Sequence, residues 1–228
     1  AALIAHDRWR RDGWRPGAWL APLALLAALL SKEEAVCTLG YLAAYAIFLE
    51  PGRWRGRLAT LLPCLLTGAA WYVAYKALGH GASGSTAYVD PGNDPLHYLR
   101  HVIDHAPILL LGQWGLPASD LSIALSTSAF AVHWWAAVVF LGVLAVLLWP
   151  LIARDALARF WTLGMLLSLL PACATFPGDR LLTFVGLGAM GLLAQWLGGM
   201  HQGAAWLPRW SFWRPAARIA AWPLLVVH

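Results

Sequence analysis

Two apolar runs, residues 17–30 and 35–49, flank the tetrapeptide Ser31-Lys32-Glu33-Glu34, which carries three charges in a row. A charge held at the centre of a bilayer costs about 2.5–3.5 kcal/mol, so adjacent charges there call for water, partners or a task. One helix over residues 17–49 would be roughly 50 Å long at 1.5 Å per residue, far beyond a hydrocarbon layer of about 30 Å. The pattern therefore predicts a hairpin of two short spans. Its polar turn is expected in a recess below the membrane surface.

Further apolar runs cover residues 58–78, 129–151, 160–176, 181–197 and 216–228. Together they predict a single domain over 1–228, an all-α polytopic transmembrane helical bundle. Residue 1 is alanine and the last run stops in mid-span, so the chain is expected to be a fragment cut at both ends.

The long segment 80–128 is expected to lie on the outer side. Residues 81–94 are rich in Gly, Ser, Asp and Pro and read as an irregular link. From Pro95 to His105, Leu96, Leu99, Val102 and Ile103 alternate with His97, His101 and His105, which predicts a helix lying along the outer interface. Residues 108–116 are apolar but too short to span, and are expected to dip into the bilayer and return.

Composition agrees with this picture. The chain is 60% hydrophobic and only 12% charged, about half the charged share of a soluble domain. Its formal charge of +5 fits basic loops facing anionic lipid and requires no nucleic-acid partner. Segments 1–16, 50–57, 153–159 and 198–215 are net basic and alternate with turn 31–34, segment 80–128 and turn 177–180. By the positive-inside rule, the basic set belongs in the cytoplasm and the other set outside, as expected in a bacterial inner membrane. Cys37, Cys64 and Cys173 fall inside apolar runs and read as buried thiols. Fifteen tryptophans, many near span ends, resemble interfacial belts.

Candidate chemistry gathers at two polar turns. Ser31 and Glu34 have the spacing of a capping box at the start of the second span. That leaves Lys32 and Glu33 without a structural task. Lys32 beside free helix amides suits a phosphate, although a lysine there can also snorkel to the headgroups. Asp179-Arg180 precedes the sixth span; Asp179 can cap it, and Arg180 can snorkel or bind an anion. Both turns stand at helix N-termini on one predicted side, so Lys32 and Arg180 would make two cations for one lipid-linked phosphate. The histidines of 95–105 stand at i, i+4 and i+8. Their spacing fits the wetted face of an interfacial helix, and it also allows a shared divalent metal. No other cofactor is indicated.

The stretch ALLSKEEAVCTLGYLAAYAIFL resembles the Ser-Lys-Glu segment of GT-C-type membrane glycosyltransferases, especially the protein O-mannosyltransferase-like branch. The stretch LLPACATFPGDRLLTFVGLGAMGLLAQWL is similar to that branch's later segment, with a proline, an acidic-Arg pair and a glycine-bearing span. Together they cover about a quarter of the chain. The resemblance implies transfer of a sugar from a polyprenyl-phosphate donor to an acceptor outside the cytoplasm. It assigns Lys32 and Arg180 to donor phosphate, with Asp179 beside Arg180, and gives Glu33 the task of orienting Lys32 or the acceptor. The family's catalytic acid would lie upstream of residue 1. Leu181 and Leu182 stand where the family pattern has aromatic residues. A transporter or flippase for a lipid-linked or anionic solute would use the same cations without bond chemistry, and a noncatalytic membrane scaffold would use neither.

Overall fold

In the computed structural model, residues 1–81, 88–208, 210 and 212–227 are described. The chain is an all-α bundle, 80% helical, with no strand among the described residues. Its helices are α1 (Ala2–Asp12), α2 (Gly17–Ser31), α3 (Cys37–Phe48), α4 (Trp54–Ala77) and α5 (Pro95–Trp114). They are followed by α6 (Thr127–Arg154), α7 (Ala156–Ala172), α8 (Thr183–Gln202) and α9 (Trp213–Val227). Among the described residues, α4, α6 and α8 are long and apolar enough to cross a membrane, whereas α2 and α7 are shorter apolar helices.

Local chemistry sets many of the boundaries. The Asp94 carboxylate accepts from the His97 amide, and Pro95 follows it in the first turn, so α5 starts where its fixed φ is already helical. Asp155 separates α6 from α7 by accepting from the Ala158 amide at 2.9 Å. Gly13 and Gly203 end α1 and α8 in the left-handed conformation, at φ 68 and 69.

Three expectations change. Residues 1–16, expected as a basic loop, contain helix α1, whose Ala2, Ala5 and His6 are buried against the bundle. Its Arg8 and Arg11 are exposed, while Arg10 turns in toward Glu50. Residues 108–116 do not form a separate dip. Most of them complete α5, and Ile108, Leu109, Leu111 and Trp114 are buried. Pro107 lies inside that helix and cannot donate to the Ile103 carbonyl one turn back. Trp134 Nε1 of α6 donates to that carbonyl at 3.0 Å, so the helix continues without an orphaned acceptor. The tryptophans, finally, are not all belt residues, because Trp114, Trp196, Trp206 and Trp213 are core.

The centre is a three-helix contact of α3, α7 and α8. Tyr41 of α3 lies fully buried between Gly164 of α7 and Gly188 of α8. A Cβ on Gly164 would stand 2.3 Å from the Tyr41 ring, and one on Gly188 would stand 2.7 Å from the Trp161 carbonyl. Small residues let the helices approach this closely.

The two sets of segments distinguished by charge gather at two ends. At the basic end, Glu50 is buried and accepts from Arg10 Nε at 2.5 Å and from Thr60 Oγ1 at 2.8 Å. His6 Nε2 stands 3.6 Å from the other Glu50 oxygen. Arg154 reaches the Ala205 and Trp206 carbonyls, joining the remaining two basic segments. At the acidic end, Tyr75 donates to Glu33, Lys76 to Asp90, and the Val89 amide to the Ala174 carbonyl. Ser119 joins the same end through Asp179.

Candidate functional site

The turn after α2 is not the capping box expected from its spacing. Ser31 Oγ donates back to the Ala27 carbonyl at 2.8 Å, inside the last turn of α2. Lys32 is extended, and residues Glu33–Val36 form a 3-10 turn before α3 begins. The break comes one residue after serine, so the serine hydroxyl sits a full turn too early to reach the amides of α3. Glu34 instead pairs with Lys32 Nζ at 2.8 Å. Lys32 remains mostly in water while the Glu34 side chain is largely covered.

Glu33 points elsewhere. It is exposed and accepts a hydrogen bond from the Tyr75 hydroxyl at the end of α4. One residue on, Lys76 pairs with Asp90, and its ammonium holds the Asp90 carboxyl below the usual carboxylate range. Residues 82–87 of the expected irregular link lie outside the described residues.

Asp179 and Arg180 lie in a 3-10 turn, Asp179–Leu181, ahead of α8. Asp179 does not cap α8. Its Oδ1 accepts from the Ser119 amide at 2.8 Å and from Ser119 Oγ at 2.5 Å, and its own amide donates to Asp120 Oδ2 at 2.9 Å. Asp179 thus fastens the turn to a 3-10 segment, Ser119–Ala124, between α5 and α6. Gly112 of α5 closes against the same carboxylate, where a Cβ would lie 3.1 Å from Asp179 Oδ1. Arg180 is exposed, its guanidinium 5.5 Å from the Phe176 ring centroid, and it has no carboxylate partner among the described residues.

Neither cation is on the first turn of an α-helix, as the sequence pattern implied; each is on or beside a short 3-10 turn that leads into one. Lys32 has Glu34 and Arg180 has Phe176, and among the described residues no ion pair or hydrogen bond joins these two side chains. One apolar contact does connect them. Phe184, in the first turn of α8, packs against the apolar cluster that holds Leu29 and Ala35, the residues on either side of the Lys32 turn. The Phe184 carbonyl also accepts from the Tyr41 hydroxyl of α3 at 2.6 Å.

The histidine stripe is real but divided. His97 Nε2 and His101 Nε2 face each other at 3.0 Å. His105 turns away and bonds the Thr175 carbonyl through Nδ1 at 3.0 Å. Burial, and then the neighbouring histidine, lowers the pKa of both His101 and His105. Among the described residues, no three His, Cys, Asp or Glu side chains converge on a point that could hold a metal.

An apolar crevice of about 360 Å³ lies between α5, α6 and α9, lined by Trp114, Phe140, Leu144, Leu147 and Leu224 among others. It includes none of Lys32, Glu33, Asp179 or Arg180. Sequence reasoning missed Tyr75, Ser119 and Asp120. The only trace of them in the chain is their place in the segments predicted to share a side. No known protein family, curated protein or solved structure matches the chain.

Proposed function

We propose that this protein is a multi-pass enzyme of a bacterial inner membrane that transfers a sugar from a polyprenyl-phosphate donor to an acceptor on the outer side. The observation that supports the reading is that Phe184, four residues after Arg180, packs against the same apolar cluster that holds Leu29 and Ala35 around the Lys32 turn. In this reading Lys32 and Arg180 hold the donor phosphate, Asp179 positions Arg180 through Ser119, and Glu33, steadied by Tyr75, orients the acceptor. The acceptor hydroxyl oxygen bonds the anomeric carbon as its proton passes to the Glu33 carboxylate, the bond from that carbon to the phosphate oxygen breaks, and polyprenyl phosphate leaves with the electron pair. Two cations favour that leaving group because its charge grows as the bond breaks. Arg180 suits a phosphate well, since its planar fork has no competing carboxylate among the described residues.

The test is donor turnover by the full-length protein with its lipid-linked donor. A charged hydrogen bond contributes roughly 1.5–3 kcal/mol. Lys32→Ala and Arg180→Ala are therefore each expected to reduce donor use about tenfold to a hundredfold, and Arg180→Lys is expected to be impaired as well. Folded Lys32→Ala and Arg180→Ala variants that both turn over donor like wild type would overturn the shared phosphate site.

A further inference from the structure

The first two histidines of α5 do not look like an ordinary solvated face. Among the described residues nothing else donates to or accepts from either Nε2, and the two atoms point at one another across 3.0 Å. Two unprotonated nitrogens at that distance repel, so the pair needs a shared proton or a shared cation. Which nitrogen of His97 holds the proton is set by its other side. The Asp94 carboxylate lies 3.8 Å from His97 Nδ1, an attractive distance that favours the proton on Nδ1 and leaves the Nε2 lone pair free. His101 Nδ1 is buried without a partner.

We propose that His97 and His101 form a divalent transition-metal site, binding a zinc-class ion through both Nε2 atoms, with Asp94 as the positioning residue of His97. Ligand distances of about 2.0–2.1 Å in a tetrahedral shell place two imidazole nitrogens about 3.4 Å apart. A few tenths of an ångström separates that from the observed pair, and His97 is exposed and free to make the adjustment. The pair opens into a pocket of about 350 Å³ lined by Asp94, Arg100 and Asp104 as well as the histidines. Two carboxylates against one guanidinium leave that pocket net acidic, which favours a cation. With two protein ligands, the ion keeps open positions for water or a substrate oxygen, as a catalytic or transport site requires and a closed structural site does not. His105 is not counted as a ligand, because among the described residues no third His, Cys, Asp or Glu side chain converges with the pair. The site does not depend on the glycosyltransferase reading, because binding is measured with neither donor nor acceptor.

The experiment uses protein purified in detergent without a polyhistidine tag and stripped with chelator. Zinc is titrated against a chromophoric chelator, and copper(II) is added separately for electron paramagnetic resonance. The expected result is one zinc per chain and a copper spectrum with hyperfine coupling from two imidazole nitrogens. His97→Ala and His101→Gln should each weaken zinc more than tenfold and reduce the copper spectrum to one nitrogen, with circular dichroism unchanged. Asp94→Asn should weaken zinc about tenfold, the lower end for an orienting carboxylate, while keeping two nitrogens. His201→Gln, at an exposed position away from α5, should leave both readouts unchanged. Wild-type protein that binds no zinc, or a His97→Ala/His101→Gln double variant that binds it equally well, would overturn the proposal.

Discussion

The Tyr41 hydroxyl donates a 2.6 Å hydrogen bond to the Phe184 carbonyl, tying the middle of α3 to the first turn of α8. Its ring fills the notch left by Gly164 and Gly188, so one side chain aligns three helices. Tyr41→Phe keeps the ring and removes the bond, and should lower stability by about 0.5–1.5 kcal/mol. Gly164→Ala should cost more, about 1–3 kcal/mol, because the ring has nowhere to move. Denaturant unfolding in detergent gives the order. A Gly164→Ala protein more stable than Tyr41→Phe would contradict the packing.

The basic end carries a pH dependence of defined sign. His6 is buried and faces Glu50, Arg10 and Asp7. Burial lowers its pKa, and Glu50 only partly opposes this. The unfolded chain therefore takes up a proton near pH 6.5 that the folded chain refuses. Stability should be complete above about pH 6.5 and decline as the pH falls toward the lowered folded value. His6→Gln should flatten that decline in unfolding midpoints collected between pH 5 and 8.

Glu50 holds the same cluster together. Its side chain is fully covered, whereas Arg10 keeps 25% of its own in water. Removing one partner of a buried pair costs about 3–5 kcal/mol, and Glu50→Ala should fall at or below the low end because Arg10 can rehydrate. Thr60 and α1 should loosen together, which limited proteolysis after residues 1–16 would detect.

The membrane reading predicts opposite accessibility for two exposed positions. Asn93→Cys, beside the N-terminus of α5, should react with an impermeant maleimide from outside the cell, and Arg55→Cys should react only after permeabilisation. Cys37, Cys64 and Cys173 are buried and stay silent. Labelling of both introduced cysteines from the same side would overturn the topology.

Trp134→Phe should act at a distance along α5. It removes the donor to the Ile103 carbonyl at the point where Pro107 has none to offer, and because the bond is exposed the loss should be about 0.5–1.5 kcal/mol. Hydrogen exchange should quicken in residues 101–111 and leave α8 unchanged.

Much of the helical content was legible because apolar runs have few other ways to satisfy their backbone. Residues 17–30, 129–151 and 181–197 read as helices and are helices, with ends shifted by a few residues where Ser126, Asp155 and Gly203 set the caps. The separation of basic and acidic segments was also legible, because charge is a property of composition and needs no fold. What the sequence could not decide was which polar group each charge would meet. Ser31 and Glu34 have the spacing of a cap, yet the chain turns one residue too late and Glu34 takes Lys32 instead. Asp179 reads as a helix cap and becomes the clamp on Ser119, sixty residues away. Residues 95–105 and 108–116 read as two separate pieces, but Trp134 supplies the donor that Pro107 lacks and one helix results. Capping and pairing are contests between partners of similar strength, each contributing about a kilocalorie per mole. Tertiary packing decides such contests, because it fixes which partner stands within 3 Å.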